Sequence, residues 1–176
     1  VYYGVQCTTK SMEKKYGSER LSAAQMFLML LRLRQISVHP QVYINAKRRA
    51  ERGYPRPDWE GTSTKLDAIQ TVMELDSDGT THKYIIFCQF HDEMALIRKH
   101  LLQEDLVKDE NILFYNGSMN QQERREVLER SKASTETTVM LIQLQAGGVG
   151  LNLQEYDRII FVSPWWTSAL MDQAIA

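Results

Sequence analysis

The sequence predicts an α/β domain with helices on both faces of a parallel sheet, preceded by a helical segment. Three observations lead there. Short apolar runs of strand length at 84–90, 112–115, 139–144 and 158–162 alternate with stretches of helical spacing, as in a sheet buried on both faces and wound by right-handed crossovers. The chain changes character near Gly61: helical spacing alone precedes it and the alternation follows it. Finally, Gly147, Gly148 and Gly150 cluster after the third apolar run. Glycine costs about 0.5–1 kcal/mol inside a helix or strand, so the cluster marks a tight turn or a close backbone approach to a ligand.

Each element has its own justification. Residues 19–36 read as a helix with Leu21, Ala24, Leu28 and Leu31 on one stripe, extended by Gln35, and with Phe27 and Leu30 beside it. Ser18 is the expected cap, and the Met and Leu residues of 26–33 are expected to be packing core, within this chain or against a lobe outside this sequence. The His39-Pro40 step ends this helix, because a residue before proline is pushed out of the helical region. Residues 47–52 form a basic helical turn, and 53–57, Gly-Tyr-Pro-Arg-Pro, a linker or exposed loop. Ser63 is the expected cap of a helix running through Leu75. After the strand at 84–90, Met94, Ile97, Leu101 and Leu102 give 92–104 helical spacing. The strand at 112–115, a helix at 121–131, the strands at 139–144 and 158–162 and a helical stretch at 168–176 complete the order. The domain division is therefore 1–62, helical, and 63–176, α/β.

Composition narrows the function. A chain of 176 residues supports one well-cored domain with a smaller appendage. The net charge of −1 excludes wholesale basicity, so contact with nucleic acid must come from a local patch. No apolar run is long enough to span a bilayer, and the start does not resemble a signal peptide. Cys7 and Cys88 have no metal-ligand spacing and fit a reducing compartment, while His39, His82, His91 and His100 read as surface or turn residues. Asn116-Gly117-Ser118 has the pattern of a glycosylation acceptor but reads as a turn.

In an open parallel sheet, ligands gather beyond the carboxyl ends of the strands. Three segments are expected there: Gln89-Phe90-His91, Asn116-Gly117-Ser118-Met119, and the glycine block. Ser118 or Asn120 is placed to cap the next helix, whose amino terminus would offer amides to a phosphate. Each segment also reads as a plain turn between crossover elements. Lys47, Arg48 and Arg49 read either as a solvated face or as phosphate contacts. Trp165 and Trp166 read as packing at a strand end.

Taken together, these segments resemble a known family. Arg32-Leu33-Arg34-Gln35 with His39-Pro40, Ser63-Thr64-Lys65-Leu66, Ile85-Ile86-Phe87-Cys88-Gln89-Phe90, Tyr115-Asn116-Gly117-Ser118-Met119, Gly148 to Leu153, Pro164-Trp165-Trp166 and Asp172-Gln173-Ala174 occur in an order and spacing similar to the second motor lobe of Swi/Snf-type DNA translocases, a branch of the superfamily-two helicases. The chain departs from the family at Ser163 and Thr167-Ser168, where Asp and Asn-Pro are common.

The resemblance implies a RecA-like helicase lobe preceded by a helical protrusion, acting on double-stranded DNA in the nucleus. It implies that Gly147, Gly148, Gly150 and Asn152 couple nucleotide to DNA, with Gln173 near the nucleotide. It implies DNA contacts from Gln89, Asn116, Gly117 and Ser118, with Lys47, Arg48 and Arg49 on the protrusion near the DNA. ATP and Mg2+ would be bound mainly by a first RecA-like lobe that this sequence does not contain; Gly61-Thr62-Ser63-Thr64-Lys65 lacks the second glycine of a phosphate loop. The arginines that reach the γ-phosphate in the family would follow Ala176. No catalytic residue is therefore expected in this chain, and no ATP hydrolysis by the chain alone. Two alternatives stay open: a protein-docking module without catalysis, and a lobe of an RNA helicase.

Overall fold

The computed structural model describes residues 22–76, 79–146, 151–165, 169 and 171–172. The chain divides into two compact units, Val1–Ser63 and Thr64–Ala176.

In the first unit, helix α1 (Ala23–Val38) opens with Ser22, whose hydroxyl accepts the Gln25 amide at 3.3 Å while the Gln25 side chain accepts the Ser22 amide at 2.8 Å. This reciprocal cap satisfies two amides that the helix itself cannot. The start is thus Ser22, later than expected; Ser18 lies outside the described residues. His39, in extended conformation, then joins α1 to helix α2 (Pro40–Ala50), its Nδ1 accepting the Gln41 amide at 3.0 Å. Pro40 sits at the start of α2, where its missing N–H has no helical partner to lose. The proline therefore ends one helix by starting another, and the expected basic turn is the last turn of α2.

Burial in this unit is concentrated at the corner: Gln35, Ile36, Val38, His39, Val42, Ile44 and Ala46 are buried. The expected core stripe is not. Phe27 is 71% exposed, and Met26, Leu28, Leu30, Leu31 and Leu33 are exposed too. The stripe lies on the first turns of α1, whereas the buried residues of α1 all lie in its last turn. His39 and His100, read as surface or turn residues, are likewise buried: His39 because its ring caps α2, and His100 because it lies on the inward face of its helix.

The segment after α2 is anchored rather than free. The Gln41 carboxamide donates to Asp58 and accepts the Trp59 amide, at 2.8 and 2.7 Å. Arg48 donates to the Asp58 carboxylate at 2.5 Å and to the Arg56 carbonyl at 2.8 Å. Tyr54 meets Tyr43 edge-on at 6.4 Å between centroids, with the Lys47 ammonium 5.3 Å from the Tyr54 ring. The expected linker is a strap tied to α2.

The second unit follows the order α3 (Thr64–Leu75), β1 (Lys83–Cys88), α4 (His91–Gln103), a 3-10 turn (Asp109–Asn111), β2 (Ile112–Tyr115), α5 (Gln121–Ala133), β3 (Thr138–Gln143) and β4 (Arg158–Phe161). Among the described residues these strands form one sheet in the order β2-β3-β1-β4, with every pair parallel. β1 and β3 lie inside and are buried almost along their length, which is why they read as unbroken apolar runs. Ile85, Phe87, Leu113, Tyr115, Met140 and Ile142 form the core on one side, with Tyr156 beneath and Trp165 packed against it. Each such side chain contributes about 1.5–3 kcal/mol by leaving water. Phe87 stacks on Phe161 across β1 and β4 at 4.9 Å.

The strand ends depart from expectation for local reasons. β1 stops two residues early because the buried Glu93 carboxylate accepts the Gln89 and Phe90 amides at 2.7 and 3.0 Å, making them the lead-in to α4. Asn120, not Ser118, caps α5, in a reciprocal pair with Glu123. Of the expected helical stretch at 168–176, residues 169, 171 and 172 are described and are helical.

Candidate nucleic-acid interface

The parallel register decides which residues meet beyond the carboxyl ends of the strands. Tyr115 of β2 pairs with Ile142 of β3, so the chain leaving β2 at Asn116 lies beside Gln143, the last residue of β3. Cys88 of β1 pairs with Gln143 on the other side, which brings His91, at the start of α4, to the same edge. A cleft of about 390 Å³ opens there, lined by His91, Gly117, Ser118, Arg124, Gln143 and Gln145, together with Ala146. No carboxylate lines it, and most of the lining carries N–H or O–H donors.

The turn at 116–118 is held from three directions. The Asn116 carboxamide oxygen accepts the Ser118 amide at 3.0 Å and its hydroxyl at 2.6 Å, an Asx turn of the kind Asn forms before a helix. The Gln143 carboxamide oxygen accepts the Gly117 amide at 3.2 Å. Arg124, one turn into α5, donates to the Asn116 carbonyl at 3.3 Å, and its guanidinium lies 5.3 Å from the Tyr115 ring centroid. The Arg124 Nε is buried and has no hydrogen-bond partner among the described residues. A buried guanidinium N–H left unpaired costs free energy unless a ligand or water supplies an acceptor.

The sequence-derived candidates are thus distributed unevenly. Asn116, Gly117 and Ser118 sit together at the cleft, but the Gly117 and Ser118 amides and the Ser118 hydroxyl already have acceptors within the protein. Gln89 spans from β1 to the turn after β4, its side chain donating to the Pro164 carbonyl at 3.3 Å. In that same turn, the Lys65 ammonium of α3 donates to the Ser163 hydroxyl. Asn152 is exposed and accepts the Gln154 amide at 3.5 Å. Gly147, Gly148, Gly150 and Gln173 lie outside the described residues. In the other unit, Lys47 pairs with Glu51 at 2.7 Å and Arg48 with Asp58, and Arg49 lies exposed in the last turn of α2.

Of the lining residues, His91 lay in a segment expected at the strand ends, whereas Arg124, Gln143 and Gln145 were missed in the sequence. Arg124 had a faint signal, since it lies four residues after the Asn120 cap and so faces back towards the turn. Gln143 had only its polarity at the end of an apolar strand.

Comparison with known proteins decides the family. The model of the helicase conserved C-terminal domain matches residues 64–176. The chain belongs to the helicase conserved C-terminal domain family. Among curated relatives, the DNA repair protein RAD5 of Candida albicans is 34% identical over 119 residues, covering 65% of this chain and 11% of the relative. The chain spans about a tenth of the length of the RAD5 relatives it matches. Among solved structures, the Sulfolobus solfataricus SWI2/SNF2 ATPase core domain superposes with a TM-score of 0.71 at 20% identity, covering 99% of this chain and 34% of that one. The same ATPase core solved in complex with dsDNA gives a TM-score of 0.64 at 19% identity, covering 94% and 33%. At these identities the structural likeness carries the RecA-like fold. Together, family match and structural likeness make this a helicase conserved C-terminal lobe with the RecA-like fold of the SWI2/SNF2 ATPase neighbours. No helix of the lobe among the described residues is long and apolar enough to cross a membrane.

Proposed function

We propose that this helicase lobe is the DNA-gripping second lobe of an ATP-dependent translocase on double-stranded DNA, working in the nucleus with a first RecA-like lobe of a parent protein. The observation that carries the reading is the acid-free cleft of about 390 Å³ at the carboxyl ends of the strands, lined by Arg124 and by further hydrogen-bond donors. A duplex backbone supplies regularly spaced phosphate oxygens, and cationic and neutral donors position it without reading sequence. The relatives named as DNA repair proteins and the neighbour solved with dsDNA support the choice of ligand.

In this reading Gln89, Asn116, Gly117 and Ser118 shape the grip, and Gly147, Gly148, Gly150, Asn152 and Gln173 couple it to nucleotide. Lys47 and Arg48 enter with charge already shared with Glu51 and Asp58, and Arg49 lies beside them. Among the described residues, no group of three His, Cys, Asp or Glu side chains is placed to hold a metal ion. By the family resemblance, ATP and Mg2+ are assigned mainly to the first lobe, and no step of the reaction is assigned to residues described here.

The test is a titration of labelled duplex DNA with the whole chain between about 50 and 200 mM salt, with Arg124→Met alongside. Phosphate contact predicts log K falling linearly with log salt, with a slope about 0.9 shallower in the variant for the one lost contact. Absent or salt-independent binding would instead fit a protein-docking module. Displacement of the duplex by RNA at lower concentration than by unlabelled duplex would fit an RNA helicase lobe.

A further inference from the structure

The structure assigns a two-sided role to Gln143: its carboxamide oxygen sets the 116–118 turn, and its NH2 group is a neutral donor for a phosphate oxygen in the cleft. The inference rests on the DNA-backbone reading above and names a residue that the reading lacked.

Oxygen and nitrogen of a glutamine side chain are easily interchanged, but here the partner chooses between them. The Gly117 amide lies 3.2 Å from the carboxamide and can only donate, so the oxygen must face it. The NH2 group, on the same planar carbon, then points away from the turn. Gln143 lines the cleft with Arg124 and His91, and among the described residues its NH2 makes no protein hydrogen bond.

The rest of the turn explains why this donor matters. The Gly117 amide is taken by Gln143, and the Ser118 amide and hydroxyl by Asn116. A phosphate arriving here finds the turn's own donors satisfied, and must either displace those acceptors or bind to what remains. What remains around the cleft is the Arg124 guanidinium and the side-chain donors of Gln143, Gln145 and His91; of these, Arg124 and Gln143 are the ones bonded to the turn. Arg124 grips it at the Asn116 carbonyl and Gln143 at the Gly117 amide. The turn and the donors are therefore one rigid unit, carried by β2, β3 and α5. A ligand held by these two side chains is coupled through them to the end of β3, four residues before the glycine block begins.

Two substitutions in the whole chain separate the two roles. Gln143→Glu keeps an oxygen for the Gly117 amide but turns the donor into a negatively charged acceptor. Gln143→Met keeps the length and removes both. Duplex affinity is measured over a range of salt, and the Gly117 amide is followed by NMR. The Glu variant is expected to hold the Gly117 amide hydrogen bond and the melting temperature of the parent. It should bind duplex about ten-fold or more weakly, because like charges now meet in a partly desolvated cleft. The Met variant is expected to move the Gly117 resonance and weaken binding by about five-fold, the worth of one neutral hydrogen bond. Its salt slope should match the parent's, since a neutral donor displaces no counterion.

Parent-like affinity in the Glu variant, or an unmoved Gly117 amide in the Met variant, would overturn the assignment while leaving a salt-dependent parent as a DNA-binding lobe. A parent chain without salt-dependent duplex binding would overturn the DNA reading and this assignment together.

Discussion

Gly117 and Gly53 look alike in the sequence, each in a loop beside polar residues, yet only one needs to be glycine in the folded chain. Gly53 has a φ of +79°, in the left-handed region where a Cβ meets the neighbouring carbonyl. At Gly117 the backbone stays out of that region, and an added Cβ would meet only the Gln143 oxygen, at an ordinary 3.6 Å. Gly53→Ala is therefore expected to destabilise by about 1 kcal/mol, and Gly117→Ala by no more than about 0.5 kcal/mol. Chemical denaturation of the two variants beside the parent checks both. If Gly117→Ala proved the costlier, the turn would be more tightly packed than this geometry has it. The residues of the turn were legible because Asn-Gly-Ser is a local signal. Gln143 was not, because its partner Gly117 is separated from it by 26 positions.

At the scale of elements, the strap after α2 offers the sharpest contrast with expectation. Its Gly, Tyr and Pro residues read as a loose connection, and by exposure most of 51–62 does lie at the surface. Yet Gln41, Arg48 and Tyr43, all on α2, hold it at Asp58, Trp59, Arg56 and Tyr54. The Arg48–Asp58 pair is exposed, with side-chain exposures of 39% and 69%, so solvent screening leaves it worth less than about 1 kcal/mol of global stability. Asp58→Ala is accordingly expected to leave the melting temperature nearly unchanged. Local opening should respond more, because the strap loses both its Arg48 and its Gln41 contacts to that carboxylate. Limited trypsin digestion should show faster cleavage after the exposed Arg52 in this variant, and equal rates would mean that Trp59 and Tyr54 hold the strap alone. Apart from α2, of which only the basic last turn was expected, the helices were legible to within a few residues, since spacing and capping are local. Their ends moved where a side chain such as Ser22 or Glu93 took the orphan amides.

At the scale of the whole molecule, pH reports on contacts that tie the sheet to its surroundings. Tyr156 is buried under the core, 2.6 Å from the Ser131 hydroxyl, and burial pushes its phenol up to about 12. Tyr84 is raised as well, by burial and by its hydrogen bond to Asp76. A raised phenol stabilises the fold fully below its unfolded pKa of about 10 and loses that contribution as pH climbs through the folded value. For Tyr156, the loss between pH ~10 and ~12 is about 2–3 kcal/mol, and Tyr156→Phe should flatten this limb. On the acid side, the hydrogen bond from Arg158 holds Asp76 below the usual carboxylate range. Burial works against Asp157, but the His82 ring and the Lys83 amide outweigh it and hold its carboxyl low too. Depressed carboxyls stabilise above their unfolded pKa and lose that contribution as pH falls through the folded value. Asp76→Asn should therefore weaken the dependence of stability on pH in acid. Urea unfolding across both limbs checks the two slopes, and a parent profile flat above pH ~10 would remove Tyr156 and Tyr84 from this account.

The sequence by itself determined the alternation of strands and helices, the buried character of β1 and β3, the turn at Asn116, and through its ordered motifs the family. The first three depend on residues within about one element's length of each other, where periodicity and capping act, and the family shows in the order of such local motifs along the chain. The tertiary structure alone decided the strand order β2-β3-β1-β4 and, with it, the meeting of Gln143, Arg124 and the 116–118 turn around one cleft. It also decided that the apolar stripe of α1 is exposed and that the basic residues of α2 share their charge with Glu51 and Asp58. Those outcomes depend on which distant segments pack together, and a polar residue at a strand end or a lysine on a helix looks the same in sequence whatever it later meets.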